Sequence, residues 1–146
     1  MGLGDGIVVK NNHLALLARN EKLAAPLAVE KVWKSRRRAA FIEVEVRSEE
    51  GALAAARAFK RLRAEAPSAT REYPCLVMLD NMMPDDVRQI IVTMRKERVW
   101  EGTLVEASGG ISESNMELYA AAEVDAISLG ALTHSVRALD LSQRIA

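Results

Sequence analysis

Short apolar runs alternate with longer amphipathic stretches along the chain. The runs are rich in Val, Ile and Leu, and most are apolar on both sides, which is typical of parallel strands covered on both faces. They predict five strands, at residues 7–9, 41–46, 76–79, 104–107 and 126–129. The second run differs, because Glu43 and Glu45 share one of its faces. This run is either a solvated edge strand or a buried strand whose carboxylates face water or a chemical partner.

The amphipathic stretches between these runs predict helices. Ser48 is a suitable N-cap for a helix that Pro67 bounds, and Pro84 suits the first position of the next helix. Pro26 lies inside another helical pattern, where we expect a break or the start of a helix. Ser112 is expected to cap a fourth helix that runs to about residue 122. Strands and helices that alternate at this spacing predict βα units on a parallel sheet.

The fold class predicted from this alternation is α/β, with βα repeats on a parallel sheet. The length of 146 residues fits one domain or part of one. Five strands are too few to close an eight-stranded barrel. The chain therefore forms either an open doubly wound sheet or the C-terminal part of a larger barrel. The opening Gly2-Leu3-Gly4-Asp5-Gly6 resembles the middle of a turn, with nothing before it to cover the first strand, which favours the barrel.

Charge and cysteine content exclude several classes of protein. Twenty Lys and Arg residues balance twenty Asp and Glu residues, so the net charge is zero. A neutral chain lacks the basic surplus that supports non-specific binding to nucleic acids or membrane surfaces. The one cysteine, Cys75, cannot form an internal disulfide, and no apolar run approaches the length of a membrane span. We therefore expect a cytoplasmic protein with no nucleic-acid or membrane partner.

Glycine clusters follow the fourth and fifth predicted strands. In a βα-barrel, reactive groups lie at the carboxyl ends of the strands, and phosphate sites recur in the loops after the last two. Ser108-Gly109-Gly110 and Gly130-Ala131 occupy those two positions here. Glycine lets backbone N–H groups approach an anion. The clusters are either phosphate-binding loops or ordinary turns that need glycine for a positive φ, and two consecutive clusters favour phosphate binding.

Charged residues lie at or near the ends of the other predicted strands. The carboxylates Glu43, Glu45, Asp80 and Glu106 are candidates for binding a hard cation or sugar hydroxyls. Lys10 follows the first strand, where it is either an anion-binding residue or an ordinary surface lysine.

The two histidines, His13 and His134, lack the spacing of zinc ligands. Each could donate a hydrogen bond to an anion or close a turn. Cys75 precedes the third predicted strand and has no paired histidine motif, so we interpret it as a packing residue.

Seven sequence motifs follow one another from end to end of the chain. They are Gly2-Leu3-Gly4-Asp5, Val9-Lys10-Asn11-Asn12-His13, Ile42-Glu43-Val44-Glu45-Val46, Met78-Leu79-Asp80-Asn81-Met82, Glu106-Ala107-Ser108-Gly109-Gly110-Ile111, Leu129-Gly130-Ala131-Leu132-Thr133-His134-Ser135 and Ala138-Leu139-Asp140-Leu141-Ser142. Each motif alone is weak. Together, and in this order, they resemble the motifs of the quinolinate phosphoribosyltransferase family, the carboxylating nicotinate-nucleotide pyrophosphorylases.

The resemblance implies a reaction and an incomplete TIM-like α/β barrel. The family converts quinolinate and phosphoribosyl pyrophosphate to nicotinate mononucleotide, pyrophosphate and CO2 in de novo NAD biosynthesis, with Mg2+. The resemblance implies catalytic roles for Lys10, Glu45 and Asp80. Glu45 and Asp80 would also lie near Mg2+, directly or through water or substrate. Glu43 and Glu106 match acidic family positions to which we assign no role.

The resemblance also implies a set of substrate-binding residues. The loops after the fourth and fifth strands would hold the ribose 5-phosphate, in agreement with the glycine pattern. The implied set is Lys10, His13, Glu45, Asp80, Ser108, Gly109, Gly110, Leu129, Gly130, Ala131 and His134.

The chain departs from the family pattern in its domain content. A full family member has an N-terminal sandwich domain before the barrel, whereas residues 1–146 are expected to form only the C-terminal part of the barrel. The upstream arginines and lysine that hold the quinolinate carboxylates, and an arginine that the partner subunit contributes, have no counterpart in this sequence. The sandwich domain and the first barrel segments are therefore expected to be absent.

Three functional interpretations remain open. The chain is the catalytic-barrel part of the transferase, or it is an inactive or split fragment that binds phosphoribosyl phosphate groups and needs another chain for activity. A related transferase with a different ring substrate is the third alternative. In each case we expect uncovered sheet edges to drive the chain into a homo-oligomer or a complex with a complementary chain.

Overall fold

The structure is a computed structural model that describes residues 4–68, 73–133 and 142–144. Its strands are β1 (Gly6–Val9), β2 (Phe41–Val46), β3 (Cys75–Asp80), β4 (Thr103–Ser108) and β5 (Ala126–Ile127). Its α-helices are α1 (Asn11–Ala15), α2 (Glu21–Trp33), α3 (Glu49–Glu65), α4 (Pro84–Lys96) and α5 (Met116–Ala120), and short 3-10 helices occur at Arg36–Arg38 and Gly130–Leu132. The predicted alternation of strands and helices is confirmed.

The five strands form one parallel sheet in the order β1-β2-β3-β4-β5. A doubly wound sheet reverses its strand order at a switch point, and this sheet does not. Right-handed crossovers that always step in one direction place every helix on the same face of the sheet. The open doubly wound alternative is therefore wrong, and the sheet is built as part of a barrel wall.

The two faces of the sheet differ in what covers them. The face under the helices carries Val44, Val77 and Val105, which are fully buried in the hydrophobic core. The opposite face corresponds to a barrel interior. There Val8 is 38% exposed at one end of the sheet and Leu104 is 44% exposed. These two apolar residues on the barrel-interior face are thus partly exposed to solvent.

β2 is an interior strand of the sheet, because β1 pairs with one side of it and β3 with the other. The solvated-edge interpretation of β2 is therefore wrong. Glu43 and Glu45 both lie on the barrel-interior face and are each only 5% exposed. The sheet thus shields both carboxylates from solvent and keeps them next to the side chains of the adjacent strands.

Two predicted helices form where the sequence places them. Ser48 caps α3 by accepting a hydrogen bond from the Gly51 N–H at 3.1 Å, and α3 ends at Glu65, just before Pro67. Pro84 is the first residue of α4, whose buried side chains are Val87, Ile90, Ile91 and Met94. Helix α3 packs against β2, β3 and β4, and α4 packs beside α3.

Pro26 lies inside α2 and neither breaks nor begins the helix, so this prediction is wrong. A proline at this position removes the hydrogen bond to the Lys22 carbonyl, but Lys22 is exposed and water can bind that oxygen. Burial of one helix face, which includes Ala25 and Val29, favours the continuous helix.

The last two predicted elements are shorter than expected. The fourth helix, α5, begins at Met116 and ends at Ala120, because residues 112–115 form turns in which Asn115 Oδ1 accepts the Ser112 N–H at 2.8 Å. β5 ends at Ile127 and not at Leu129, since the Leu129 carbonyl already accepts the Leu132 N–H of a 3-10 turn. Within the described residues, no helix has the length and apolar character needed to cross a membrane.

Candidate functional site

An ion pair joins the ends of β1 and β2. Lys10 follows β1 directly, and its Nζ donates a hydrogen bond to Glu45 Oε2. The backbone N–H of Asn11 contacts the other oxygen, Glu45 Oε1, at 3.4 Å. The hydrogen bond to Glu45 is the main reason that the pKa of Lys10 is raised above its usual value. Two predicted site residues, Lys10 and Glu45, are thus brought together.

A second ion pair joins the ends of β2 and β3. The Arg47 guanidinium donates from Nε and Nη2 to Asp80 Oδ2, with both distances at 2.8 Å. Asp80 was predicted from its strand-end position, whereas Arg47 was missed. The signal that could have identified it is its place one residue after β2, at the same edge of the sheet as Asp80.

Asp80 is linked to the first glycine loop through Asn81. Asn81 Nδ2 donates to Asp80 Oδ1 at 2.9 Å, and its backbone N–H donates to the Ser108 carbonyl at 2.8 Å. Asn81 adopts a left-handed conformation with φ of 55°, which asparagine tolerates better than most residues. A Cβ on Gly109 would lie 2.6 Å from the Asn81 side chain and 2.8 Å from its backbone nitrogen. Close contact with Asn81 therefore requires glycine at position 109.

The two predicted phosphate loops line one cleft of about 820 Å3, bounded by residues 108–111 and 127–133. Gly109 and Gly110 have φ values of +86° and +65°, so this cluster is a turn that needs glycine, as the turn interpretation predicts. Asn115 holds the first loop in place, because its amide donates to the Gly110 carbonyl at 3.1 Å. Ser108, Leu129, Gly130 and Ala131 of the predicted set all line this cleft. The binding of phosphate there stays a prediction.

Glu43 and Glu106 form a carboxyl pair on the barrel-interior face. Glu106 also accepts a hydrogen bond from Ser128 Oγ, while Glu43 Oε1 is buried without a hydrogen-bond partner among the described residues. Burial first, and then the charge of Glu106, raise the pKa of Glu43 from its usual 4.5 to about 8. The nearby charges of Lys10 and Glu45 act on it in opposite directions. We infer that Glu43 carries a proton at neutral pH.

The protonated state of Glu43 predicts that the chain loses stability as the pH rises. The folded pKa of about 8 lies above the usual 4.5, so the folded chain keeps a proton that the unfolded chain has released. The stabilising contribution is complete below pH 4.5 and is lost as the pH rises through about 8. We expect the substitution Glu43→Gln to remove this loss, which these two pKa values put at roughly 5 kcal/mol at most. Urea unfolding at several pH values measures it.

An exposed carboxylate supplies the control for this measurement. Glu50 lies in the first turn of α3 and is exposed, so Glu50→Gln should leave the loss of stability between pH 5 and 8 as it is in the unmodified chain. A Glu43→Gln variant that loses stability between pH 5 and 8 as steeply as the unmodified chain would contradict the inference that Glu43 is protonated.

The histidine and cysteine predictions have different outcomes. His13 closes the first turn of α1, since its Nδ1 accepts the Lys10 backbone N–H at 3.0 Å, which leaves Nε2 as the donor nitrogen of the neutral ring. His134 lies outside the described residues. Cys75 is fully buried, and burial raises its pKa to about 12, as expected of a packing residue.

The carboxylates do not form a magnesium site by themselves. Among the described residues, no three potential metal-ligating side chains cluster together, and Glu45 and Asp80 are each paired with a basic side chain. Magnesium prefers six oxygen ligands and usually keeps several waters. The donor set does not fit an ion held directly by these two side chains, so the predicted Mg2+ would have to bind with a substrate that supplies further oxygens.

Sequence comparison places this chain among known proteins. Residues 1–144 match the family described as the quinolinate phosphoribosyl transferase C-terminal domain. The chain is 34% identical over 143 residues to a probable nicotinate-nucleotide pyrophosphorylase (carboxylating) of Methanothermobacter thermautotrophicus, and this match covers 98% of the chain and 44% of that protein. It is 33% identical over 146 residues to the nicotinate-nucleotide pyrophosphorylase (carboxylating) of Rattus norvegicus, where it covers 98% of the chain and 41% of the relative. The chain thus spans less than half the length of these relatives.

Structural comparison agrees with the sequence match. The chain resembles the nicotinate-nucleotide pyrophosphorylase of Francisella tularensis with a TM-score of 0.66 and 28% identity, covering 97% of this chain and 41% of the other. It also resembles NadC from Streptococcus pyogenes with a TM-score of 0.66 and 27% identity, covering 95% of this chain and 40% of the other.

Proposed function

Because this chain belongs to the family of quinolinate phosphoribosyl transferase C-terminal domains, we propose that it forms the catalytic barrel part of a carboxylating nicotinate-nucleotide pyrophosphorylase. The reaction would join quinolinate to phosphoribosyl pyrophosphate, with release of pyrophosphate and CO2, in de novo NAD biosynthesis. One observation carries the proposal. The Lys10–Glu45 pair, the Arg47–Asp80 pair and the glycine-lined cleft all lie at the carboxyl ends of the strands.

Each of these groups at the carboxyl ends of the strands suits one part of the phosphoribosyl substrate. The cleft between the glycine loops would hold the 5-phosphate through backbone N–H groups. Glu45 and Asp80 would face the ribose, where positive charge develops as pyrophosphate leaves, and fixed carboxylates stabilise such charge in a water-poor site. Lys10 would bind the substrate's anionic groups and keep Glu45 in position.

Further features of the enzyme are part of the same proposal. Mg2+ would enter with the diphosphate, whose charge it would neutralise in part, and Glu45 and Asp80 would lie near it and act through water or through substrate oxygens. An N-terminal sandwich domain and the first barrel segments would be supplied outside residues 1–146, together with the basic residues that bind quinolinate. A cytoplasmic location stays a prediction from the sequence.

A second candidate function follows from the uncovered part of the sheet. Among the residues that the structure describes, β1 pairs only with β2, so its other side forms an edge of the five-stranded sheet. Val8 on this strand is partly exposed and helps to line a cavity of about 330 Å3, most of whose other lining residues, such as Ile7, Leu16 and Val32, are apolar. The chain would then bind the phosphoribosyl group alone and become active only with a complementary chain or a second copy.

Calorimetric titration of this chain tests the proposed function and separates the two candidates. We expect saturable binding of phosphoribosyl pyrophosphate, with ribose 5-phosphate competing for the same cleft. Binding of quinolinate to the lone chain would favour the complete catalytic part, whereas its absence would favour the fragment that needs a partner. If neither phosphoribosyl pyrophosphate nor ribose 5-phosphate binds, both candidates are contradicted.

A further inference from the structure

Arg47 is a basic residue of the site that has no role of its own in the proposed function. Its side chain is 55% exposed, whereas its partner Asp80 is 13% exposed. Two of the guanidinium N–H groups are directed at a single oxygen, Asp80 Oδ2. An arginine carries five N–H donors in a flat fork, so this contact uses less than half of its donor capacity and leaves the group accessible from the mouth of the site.

The backbone of Arg47 is held more firmly than its side chain. The Arg47 N–H donates to both oxygens of Glu21, at 3.0 and 2.9 Å. The same carboxylate accepts a hydrogen bond from Ser48 Oγ at 2.6 Å, and Ser48 caps α3. Glu21 is the first residue of α2, so two helices fix the point from which the Arg47 side chain extends. The guanidinium can therefore exchange partners without movement of the loop.

In the free chain, the positive charges of Lys10 and Arg47 are both used by carboxylates, so an anionic substrate can gain a cation only if an ion pair changes partners. Lys10 neutralises Glu45 and Arg47 neutralises Asp80, so the two pairs carry no net charge. A substrate with a diphosphate group brings several negative charges to this edge. Its phosphate oxygens bind well only to cations that face them, and arginine binds phosphate with two parallel hydrogen bonds. The exposed guanidinium of Arg47 is placed to supply them.

We propose that Arg47 binds the diphosphate group of the phosphoribosyl substrate and releases Asp80 when it does so. This inference rests on the proposed function, and it adds a residue that sets specificity for a diphosphate over a monophosphate. In the free chain Arg47 neutralises Asp80, which keeps two site carboxylates from repelling each other. In the complex the guanidinium contacts the diphosphate, and Asp80 becomes available to the ribose. The exchange breaks and forms only hydrogen bonds and ion pairs.

Titration of the chain with inorganic pyrophosphate and, separately, with ribose 5-phosphate tests the role of Arg47. We expect Arg47→Ala to raise the Kd for pyrophosphate about 10-fold or more and to change the Kd for ribose 5-phosphate less than about twofold. Arg47→Lys keeps the positive charge but not the flat arrangement of N–H donors. Its Kd for pyrophosphate should therefore lie between that of the unmodified chain and that of Arg47→Ala. The matched control is Arg57→Ala, because Arg57 forms a similar two-point ion pair with Glu97 on the outer helices. Arg57→Ala should leave both Kd values unchanged.

A second pair of variants separates ligand binding by Arg47 from simple neutralisation of Asp80. In an Asp80→Asn background the ion pair is gone, so we expect pyrophosphate to bind more tightly than to the unmodified chain. Adding Arg47→Ala to that background should again weaken pyrophosphate binding about 10-fold. Equal Kd values for these two variants, or no pyrophosphate binding to the unmodified chain, would overturn the proposal. Ribose 5-phosphate binding would still report on the proposed function, since it uses the glycine-lined cleft.

Discussion

Replacement of Glu45 or Asp80 by alanine is expected to lower kcat of an active enzyme containing this chain by about 100-fold or more. Both carboxylates lie at strand ends on the barrel-interior side, and both are largely buried. A fixed negative charge there stabilises the positive charge that develops on the ribose, and neither water nor a neutral side chain replaces it. Steady-state kinetics with phosphoribosyl pyrophosphate and quinolinate measures the effect.

The controls for this prediction address folding and unpaired charge. Glu45→Gln and Asp80→Asn keep the size of each side chain but remove its charge, so they should lose kcat to a similar extent. Glu97→Ala removes a carboxylate of the same ion-pair type from the outside of the helical layer and should leave kcat unchanged. If Glu45→Ala and Asp80→Ala both keep kcat within about threefold while melting normally, the roles assigned to the two carboxylates are wrong.

A second large effect is expected at the glycine loop. Gly109→Ala would place a Cβ 2.6 Å from the Asn81 side chain and 2.8 Å from its backbone nitrogen, and φ at this position is +86°. The loop would have to shift away from Asn81 and carry its backbone N–H groups with it. Because each hydrogen bond to a charged phosphate contributes about 1.5–3 kcal/mol, we expect ribose 5-phosphate to bind about 10- to 100-fold more weakly. Isothermal titration calorimetry gives the Kd.

The neighbouring glycine provides a matched control. Gly110 also has a positive φ of +65°, but no atom of the described residues lies within 4 Å of the position that a Cβ would take. Gly110→Ala therefore carries the backbone strain, about 1–2 kcal/mol, without the collision. It should lower the melting temperature of the chain and weaken ribose 5-phosphate binding less than Gly109→Ala does. Equal affinities of the Gly109→Ala and Gly110→Ala variants would show that contact with Asn81 does not position the loop.

Much of the fold could be predicted because buried strands and helix faces carry apolar residues in regular patterns along the sequence. Runs of apolar residues mark β2, β3 and β4 to within one residue at each end. Ser48 and Pro84 mark the starts of α3 and α4, since caps and first-turn prolines act on the nearest backbone groups. The prediction fails at Pro26 and Ser112, where packing of α2 and the side chain of Asn115 decide the outcome.

The sequence by itself determined which residues stand at the strand ends, and hence that Lys10, Glu45, Asp80 and the glycine loops share one edge. It did not determine how they pair. The contact of Arg47 with Asp80 joins residues 33 positions apart, and the Glu43–Glu106 pair depends on the registers of three adjacent strands. Only the tertiary structure decided these contacts, because local propensity acts over a few residues whereas strand register and curvature bring distant charges together.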